Sequence, residues 1–285
     1  MGSSANQWLV CCAATNRDLS RGVPMATFVI VHGAFGGGWE WREVASLLRA
    51  RGHDVFTPSL TGFAERIHLA SPQTGLETHI QDILNLLRYE DLHQVILACQ
   101  SYGGMVVTAV ADRMPERLAH LVYLNALVPE DGQSVFDLLP PAMRQRFAEA
   151  AQSHGEGWRV PAPPFEDDPT IAAFARGRHV PSPLRMFTDP VHLGPAPDLP
   201  RTYIWCTEDQ AGLAGVADLM QPFAARAQRD PRWHFHQLTS PPDAFIYMPQ
   251  AVAELFDAVA RTGEAEADLA QESADARPRK TPPAP

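Results

Sequence analysis

A serine at a tight bend between an apolar strand and a helix is the feature of this sequence most able to do chemistry. The run Val95-Ile96-Leu97-Ala98-Cys99-Gln100-Ser101-Tyr102-Gly103-Gly104-Met105 passes from a strand-like stretch through such a bend into a helical one. Strained backbone at that point lifts the serine hydroxyl over the sheet end, and small residues two positions to either side let strand and helix pass closely. Gly103 is the downstream small residue, while upstream Cys99 stands where the pattern G-x-S-x-G has glycine. The plainer reading of Ser101 is a helix cap in an ordinary strand-to-helix turn. A second element favours chemistry: Val31-His32-Gly33-Ala34-Phe35-Gly36-Gly37-Gly38-Trp39, whose glycines let backbone N–H groups face an anion. Beside a serine bend, the N–H groups of Ala34 and Tyr102 converge on the oxyanion of a tetrahedral acyl intermediate. A dinucleotide loop is the competing reading. Its fingerprint fails on spacing, because Gly33, Gly36, Gly37 and Gly38 do not make G-x-G-x-x-G, and the second strand begins with Asp54 and runs on into Pro58-Ser59 rather than ending in an acid.

The elements that must position these residues are strands alternating with helices, the pattern of a mostly parallel sheet covered on both faces. Strands are expected at Phe28 to Val31, Asp54 to Thr57, Gln94 to Ala98, Leu121 to Leu124, Tyr203 to Cys206 and Trp233 to Leu238. Between them, helical periodicity runs from about Trp39 to Ala50, Glu77 to Arg88, Gly104 to Arg113 and Leu213 to Arg229, with a closing helix from Pro249 to about Arg261. Regularity stops near Pro129 and resumes at Arg201. The stretch between is Pro-rich and too long for a loop of a compact domain, so residues of about 130–200 are read as an inserted cap. Residues 1–24 show no periodicity and are expected to be a poorly ordered extension, with Met25 nearer the functional start. Residues 25–263 then form one domain, and the Ala-, Glu-, Asp- and Pro-rich stretch 264–285 is expected to be a disordered tail.

With 285 residues, 45% of them hydrophobic, the chain can bury one sizeable core and is too short for three ordinary domains. A formal charge of −10 leaves no basic surface for phosphates, which argues against a nucleic-acid partner. Neither a membrane-length apolar run nor a secretory signal pattern is seen, so a cytoplasmic protein with no membrane partner is expected. Cys11, Cys12, Cys99 and Cys206 have no metal-ligand or disulfide spacing, and Lys280 in the tail is the only lysine, which excludes a Schiff-base or P-loop lysine in the body. No metal and no organic cofactor are implied.

Taken together, these motifs resemble the α/β-hydrolase fold, and within it the branch of plant methyl esterases, hydroxynitrile lyases and their bacterial relatives. The resemblance covers about Ala26 to Arg261 and rests on His32-Gly33-Ala34 with Gly37-Gly38-Trp39, Gly52-His53 with Thr57-Pro58, Ser101 to Met105, Val128-Pro129 with Asp131, and Tyr203-Ile204 with Cys206-Thr207-Glu208-Asp209. It implies an α/β fold with a mostly parallel central sheet, helices on both faces and an inserted cap. It also implies Ser101 as nucleophile and Asp209 as the acid that orients a histidine, Glu208 being the alternative acid. In this branch the histidine lies seven residues before a proline that opens the last helix. That proline is Pro249, and the position holds Pro242.

Proline cannot accept a proton from Ser101. His234 and His236 on the preceding strand could substitute only through a folded-back loop, and His154, His179 and His192 of the cap could each lean over the pocket. His32 is expected to fix backbone beside the oxyanion loop, and His53, His68, His79, His93 and His120 are read as surface or capping residues. Cys99 is a conceivable second nucleophile, although a buried inert thiol is the stronger reading. The expected function is hydrolysis of carboxylic esters by Ser101 with an atypical or incomplete triad, the oxyanion hole formed by Ala34 and Tyr102. Alternatives are lyase, cyclase or dehydratase chemistry on a small molecule, or a ligand-binding pseudoenzyme. In each case the partner is a small, largely apolar organic substrate, contacted by cap residues such as Trp158, Phe165, Phe174 and Phe187 unless these merely pack the cap.

Overall fold

The protein is described from a computed structural model covering residues 25–163, 168–209 and 216–275. Its first half alternates as expected: β1 (Thr27–Val31), a 3-10 turn (Gly38–Trp41) leading into α1 (Arg42–Ala50), β2 (Asp54–Phe56), α2 (Leu76–Tyr89), β3 (Val95–Ser101), α3 (Gly103–Arg113) and β4 (Leu118–Ala126). Next come α4 (Val135–Leu138), α5 (Pro141–His154), β5 (Arg159–Val160), α6 (Pro169–Ala175), β6 (Ser182–Pro183) and α7 (Arg185–Thr188). Alternation then resumes with β7 (Arg201–Cys206), α8 (Val216–Arg229), β8 (Trp233–Leu238), α9 (Ala244–Tyr247) and α10 (Pro249–Asp275). Six strands form one sheet in the order β2-β1-β3-β4-β7-β8, with every neighbouring pair parallel. The two short strands β5 and β6 make a separate antiparallel ribbon.

Successive strand residues point to opposite faces, and the inner strands are apolar at both parities, so each face seeds its own core. Phe28 and Ile30 of β1 join Trp41, Val44 and Leu48 around α1 and Val252 and Phe256 of α10. Val29 and Val31 join Ile80, Ile83 and Leu87 of α2 and the buried face of α3 on the other side. Helix α1 ends where Gly52 takes φ +96, a left-handed turn that a side chain would strain. The chain steps from β1 outward to β2 and returns to β3 on the other side of β1, so the sheet has a switch point between β1 and β3. Ligands of open parallel sheets bind at the carboxyl ends of the strands at such a point. The Gly-rich loop follows β1 and Ser101 ends β3, and the register Val31↔Cys99 brings the two motifs side by side.

Helix α10 continues to Asp275, beyond the boundary at 263, through a run of strong helix formers that meets no proline before Pro278. Residues 1–24 and 276–285 lie outside the described residues. No helix among the described residues is long and apolar enough to cross a membrane.

Candidate active site

Ser101 sits at the bend with φ +51, in the left-handed region that a side chain enters only at a cost. Tight packing around it holds the conformation. A methyl group added at Gly103 would lie 2.7 Å from the Val31 carbonyl, and one at Gly104 would lie 1.9 Å from the Leu127 carbonyl, so α3 leaves the bend across bare backbone. Leu127 N–H donates to the Ser101 carbonyl at 3.1 Å. From the other side a methyl at Gly33 would meet Gln100 Oε1 at 2.3 Å and Ser101 Cβ at 3.2 Å, so the Gly-rich loop runs directly against the serine. Cys99 is fully buried, its Sγ 3.5 Å from the Val122 carbonyl, and burial pushes its thiol pKa well up. These are properties of an inert packing thiol.

The two expected oxyanion donors flank this bend. Neither the Ala34 N–H nor the Tyr102 N–H has an acceptor among the described residues, and both residues line one cavity with Ser101. Their backbone is fixed from behind. His32 is fully buried; its Nδ1–H donates to the Gly33 carbonyl at 2.7 Å and its Nε2 accepts Leu60 N–H at 3.0 Å, and burial lowers its pKa. Phe35, at φ +69, donates its N–H to Ser182 Oγ at 3.1 Å, while its carbonyl accepts Val180 N–H at 2.9 Å. The Tyr102 hydroxyl donates to His79 Nδ1 at 2.7 Å, and His79 Nε2–H donates to the Thr61 carbonyl at 3.0 Å. Burial drives the His79 pKa to about 4, which keeps the ring neutral and the chain of bonds intact.

His79 is therefore an interior brace rather than a surface or capping residue, and His53 and His120 share that correction. Each is buried because it has a fixed partner: His53 Nε2–H donates to Asp257 Oδ1 at 3.0 Å, and His120 Nε2 lies 2.8 Å from Thr202 Oγ1.

Opposite the donors, Pro242 is buried and lines the same cavity. Its neighbour Asp243 accepts from Gln100 Nε2–H at 3.1 Å, which ties the loop after β8 to the residue before Ser101. Asp209 lies exposed on the loop after β7, as does Glu208, and neither is among the cavity-lining residues. That loop is nonetheless zipped to the Pro242 loop, with Thr207 N–H donating to the Leu238 carbonyl and Glu208 N–H to the Ser240 carbonyl. His234 and His236 are exposed on the edge strand β8, and His154 and His192 are exposed too. Only His179 among the histidines lines the cavity. Its Nε2–H donates to Glu40 Oε1 at 2.9 Å.

The cavity holds about 140 Å³. Phe35, Leu139, Met143, Phe147 and Phe187 give it an apolar wall, and Glu40, Arg146 and His179 add polar groups. Of the four aromatic cap residues singled out by sequence, Phe187 lines it. Phe174 packs on Trp39 instead, with ring centres 5.1 Å apart, and Trp158 lies under Arg159. Phe165 is outside the described residues. Sequence reasoning missed Glu40 altogether; a carboxylate set between Trp39 and Trp41, just after a glycine run, was its available signal. A larger groove of about 330 Å³ lies near α3, β4 and β8, but Ser101 and the Gly-rich loop take no part in it.

Residues 28–261 match the family model described as the alpha/beta hydrolase family. A carbendazim hydrolyzing esterase from Nocardioides sp. (strain SG-4G) is 37% identical over 247 residues, which is 81% of this chain and 98% of that protein. Methylesterase 2 of Arabidopsis thaliana is 29% identical over 135 residues, 46% of this chain and 48% of its own length. An extracellular alpha/beta-hydrolase from a Paenibacillus species superposes with TM-score 0.70 at 25% identity, covering 81% of this chain and 97% of that one. With a family model spanning most of its length and a relative matched nearly end to end, the chain belongs to the alpha/beta hydrolase family.

Proposed function

We propose that the protein hydrolyses carboxylic esters of small, largely apolar molecules, with Ser101 as nucleophile and the Ala34 and Tyr102 N–H groups as the oxyanion hole. The observation that carries this reading is Ser101 held at φ +51 in the lining of an apolar cavity, flanked by two N–H donors with no acceptor among the described residues. Its hydroxyl oxygen attacks the ester carbonyl carbon as the hydroxyl proton leaves to a base. Negative charge then builds on the former carbonyl oxygen between the two donors, each of which is worth about 10²- to 10³-fold in rate in such sites. The alcohol departs, and water releases the acid from the acyl-enzyme. Relatives named as esterases, one matched over nearly its full length, support the reaction class. The cavity's volume and aromatic wall support a compact apolar substrate.

Asp209 keeps the acid's place in the chain order, but Pro242 offers no imidazole for it to orient. That proline favours a second reading, in which the oxyanion site serves a lyase, cyclase or dehydratase step that needs no serine relay, or ligand binding alone.

Initial rates of p-nitrophenyl butyrate hydrolysis separate the two. Turnover by the wild type that disappears in Ser101→Ala supports the hydrolase. A silent wild type awakened by Pro242→His identifies a relay broken at that position and favours the second reading.

A further inference from the structure

We infer that the strap of residues 179–182 aims the oxyanion hole, with Ser182 and Glu40 as the positioning residues that fix the Ala34 N–H. This rests on the hydrolase reading above and names what keeps its donor in place. The residue after Ala34 is Phe35, whose φ of +69 lies in the left-handed region that a bulky side chain enters only when its surroundings impose it. The strap bonds to both of its backbone polar groups. Phe35 N–H donates to Ser182 Oγ at 3.1 Å, and the Phe35 carbonyl accepts Val180 N–H at 2.9 Å. Ser182 is fully buried, so water has no access to replace its hydroxyl as acceptor. The Phe35 ring packs on Phe147 and Phe187, with ring centres 6.2 Å away in each case, which ties the same residue to the cavity wall.

Glu40 grips the same loop two residues further on. Its buried carboxylate accepts Gly37 N–H on Oε2 at 3.1 Å and His179 Nε2–H on Oε1 at 2.9 Å, so one side chain bridges loop and strap. An ionised carboxylate away from water is costly unless it is hydrogen-bonded, and both bonds are therefore expensive to give up. Gly36 makes room for it, since a methyl there would fall 1.8 Å from Glu40 Oε2. Ala34 is thus followed by three residues held by Ser182, Val180 and Glu40, and preceded by Gly33, whose carbonyl accepts from His32 and whose backbone lies against Ser101. With no acceptor of its own among the described residues, the Ala34 N–H takes its direction from these neighbours. Direction matters most in the transition state, because a donor already aimed at the developing oxyanion needs no reorganisation as charge appears there. Loosening the strap therefore costs transition-state stabilisation more than it costs ground-state binding.

The test measures p-nitrophenyl butyrate kinetics, and inhibition by hexyl trifluoromethyl ketone against hexyl methyl ketone, in wild type, Ser182→Ala, Glu40→Gln and Glu40→Ala, with thermal melts to confirm folding. The Ser101 hydroxyl adds across the trifluoroketone carbonyl: Oγ bonds to carbon, its proton leaves to a base, and the former carbonyl oxygen becomes an oxyanion between the two donors. The methyl ketone reports cavity binding alone. Ser182→Ala and Glu40→Ala are expected to lower kcat and trifluoroketone affinity in parallel by about 10-fold or more, short of the roughly 10²- to 10³-fold cost of losing a donor outright. KM and methyl ketone affinity should move by less than about threefold. Glu40→Gln keeps one acceptor oxygen and should fall between wild type and Glu40→Ala, a graded rescue that a merely packing role would not give. If Glu40→Ala does not fold, Ser182→Ala and Glu40→Gln carry the same comparison. Folded variants that bind the trifluoroketone within about threefold of wild type, or that lose both ketones equally, overturn the inference while wild-type turnover leaves the hydrolase reading standing. A wild type that neither hydrolyses the ester nor prefers the trifluoroketone overturns both.

Discussion

The two sides of the cavity contrast sharply in how they keep the hydrolase plan. On the side built from β1 and β3 lie the Gly-rich loop, Ser101 in its strained conformation, the two proposed N–H donors and a layer of buried histidines bracing them. On the side built from the loops after β7 and β8, a buried Pro242 stands where the resemblance implies a histidine, and Asp209 is exposed. The proposed chemistry needs strands and backbone in one place and a single side chain in the other. Backbone geometry is fixed by many packed residues at once, whereas a side chain can be lost in one substitution and its role passed to any residue the cavity reaches.

Experiments that break or sharpen this contrast begin with the largest effect. Ser101→Ala should cost ester hydrolysis at least about 10³-fold in kcat/KM, the scale seen when a relay serine is removed; retained turnover would move the nucleophile elsewhere.

Stability tests come next, because the intact side should be over-determined. Gly104→Ala drives a methyl into the Leu127 carbonyl and should lower unfolding free energy by about 2–4 kcal/mol, read from urea midpoints. Indifference to that methyl would mean that α3 is not held against the bend. The buried histidines give the smallest effect per step and a defined pH window. Burial takes His79 and His120 from an ordinary value of 6.5 to about 4, with His32 lowered as well. Between those limits the unfolded chain binds more protons than the folded one, so stability is full above pH 6.5 and declines as pH falls towards 4. Each ring contributes a slope of at most about 1.4 kcal/mol per pH unit. Asp230, held down to about 2 mainly by its hydrogen bond from Arg232, titrates below this window. Urea midpoints unchanged from pH 7 to pH 4.5 would contradict the interior role given to these rings.

Much of this was legible in the sequence, for reasons that differ by region. Strand and helix positions follow from apolar periodicity, and the serine bend is a contiguous pattern, so the close approach of Ser101 to the loop at Ala34 could be read from short windows. The absence of a histidine at 242 was equally local. What the linear pattern does not carry is which distant residue fills a cavity. His179 was one of three cap histidines with equal claim, and only the hydrogen bonds from Val180 and to Ser182 bring that strap beside Phe35. Glu40 gave no periodic signal, because its significance lies in the partner it meets across 139 positions of chain. The interior positions of His53, His79 and His120 were missed for the same reason: a histidine is buried when a specific partner satisfies it, and Asp257, Tyr102 and Thr202 are remote in sequence.

The central claim is that Ser101 is a working nucleophile although Pro242 stands where the resemblance implies a histidine. Its most direct test is to quench the wild type during p-nitrophenyl butyrate hydrolysis and measure the mass of the peptide that carries Ser101. The account predicts a butyryl group on Ser101, formed with a burst of p-nitrophenolate and absent in Ser101→Ala. Hydrolysis that proceeds with no acyl group on that peptide, and with no burst, would contradict it.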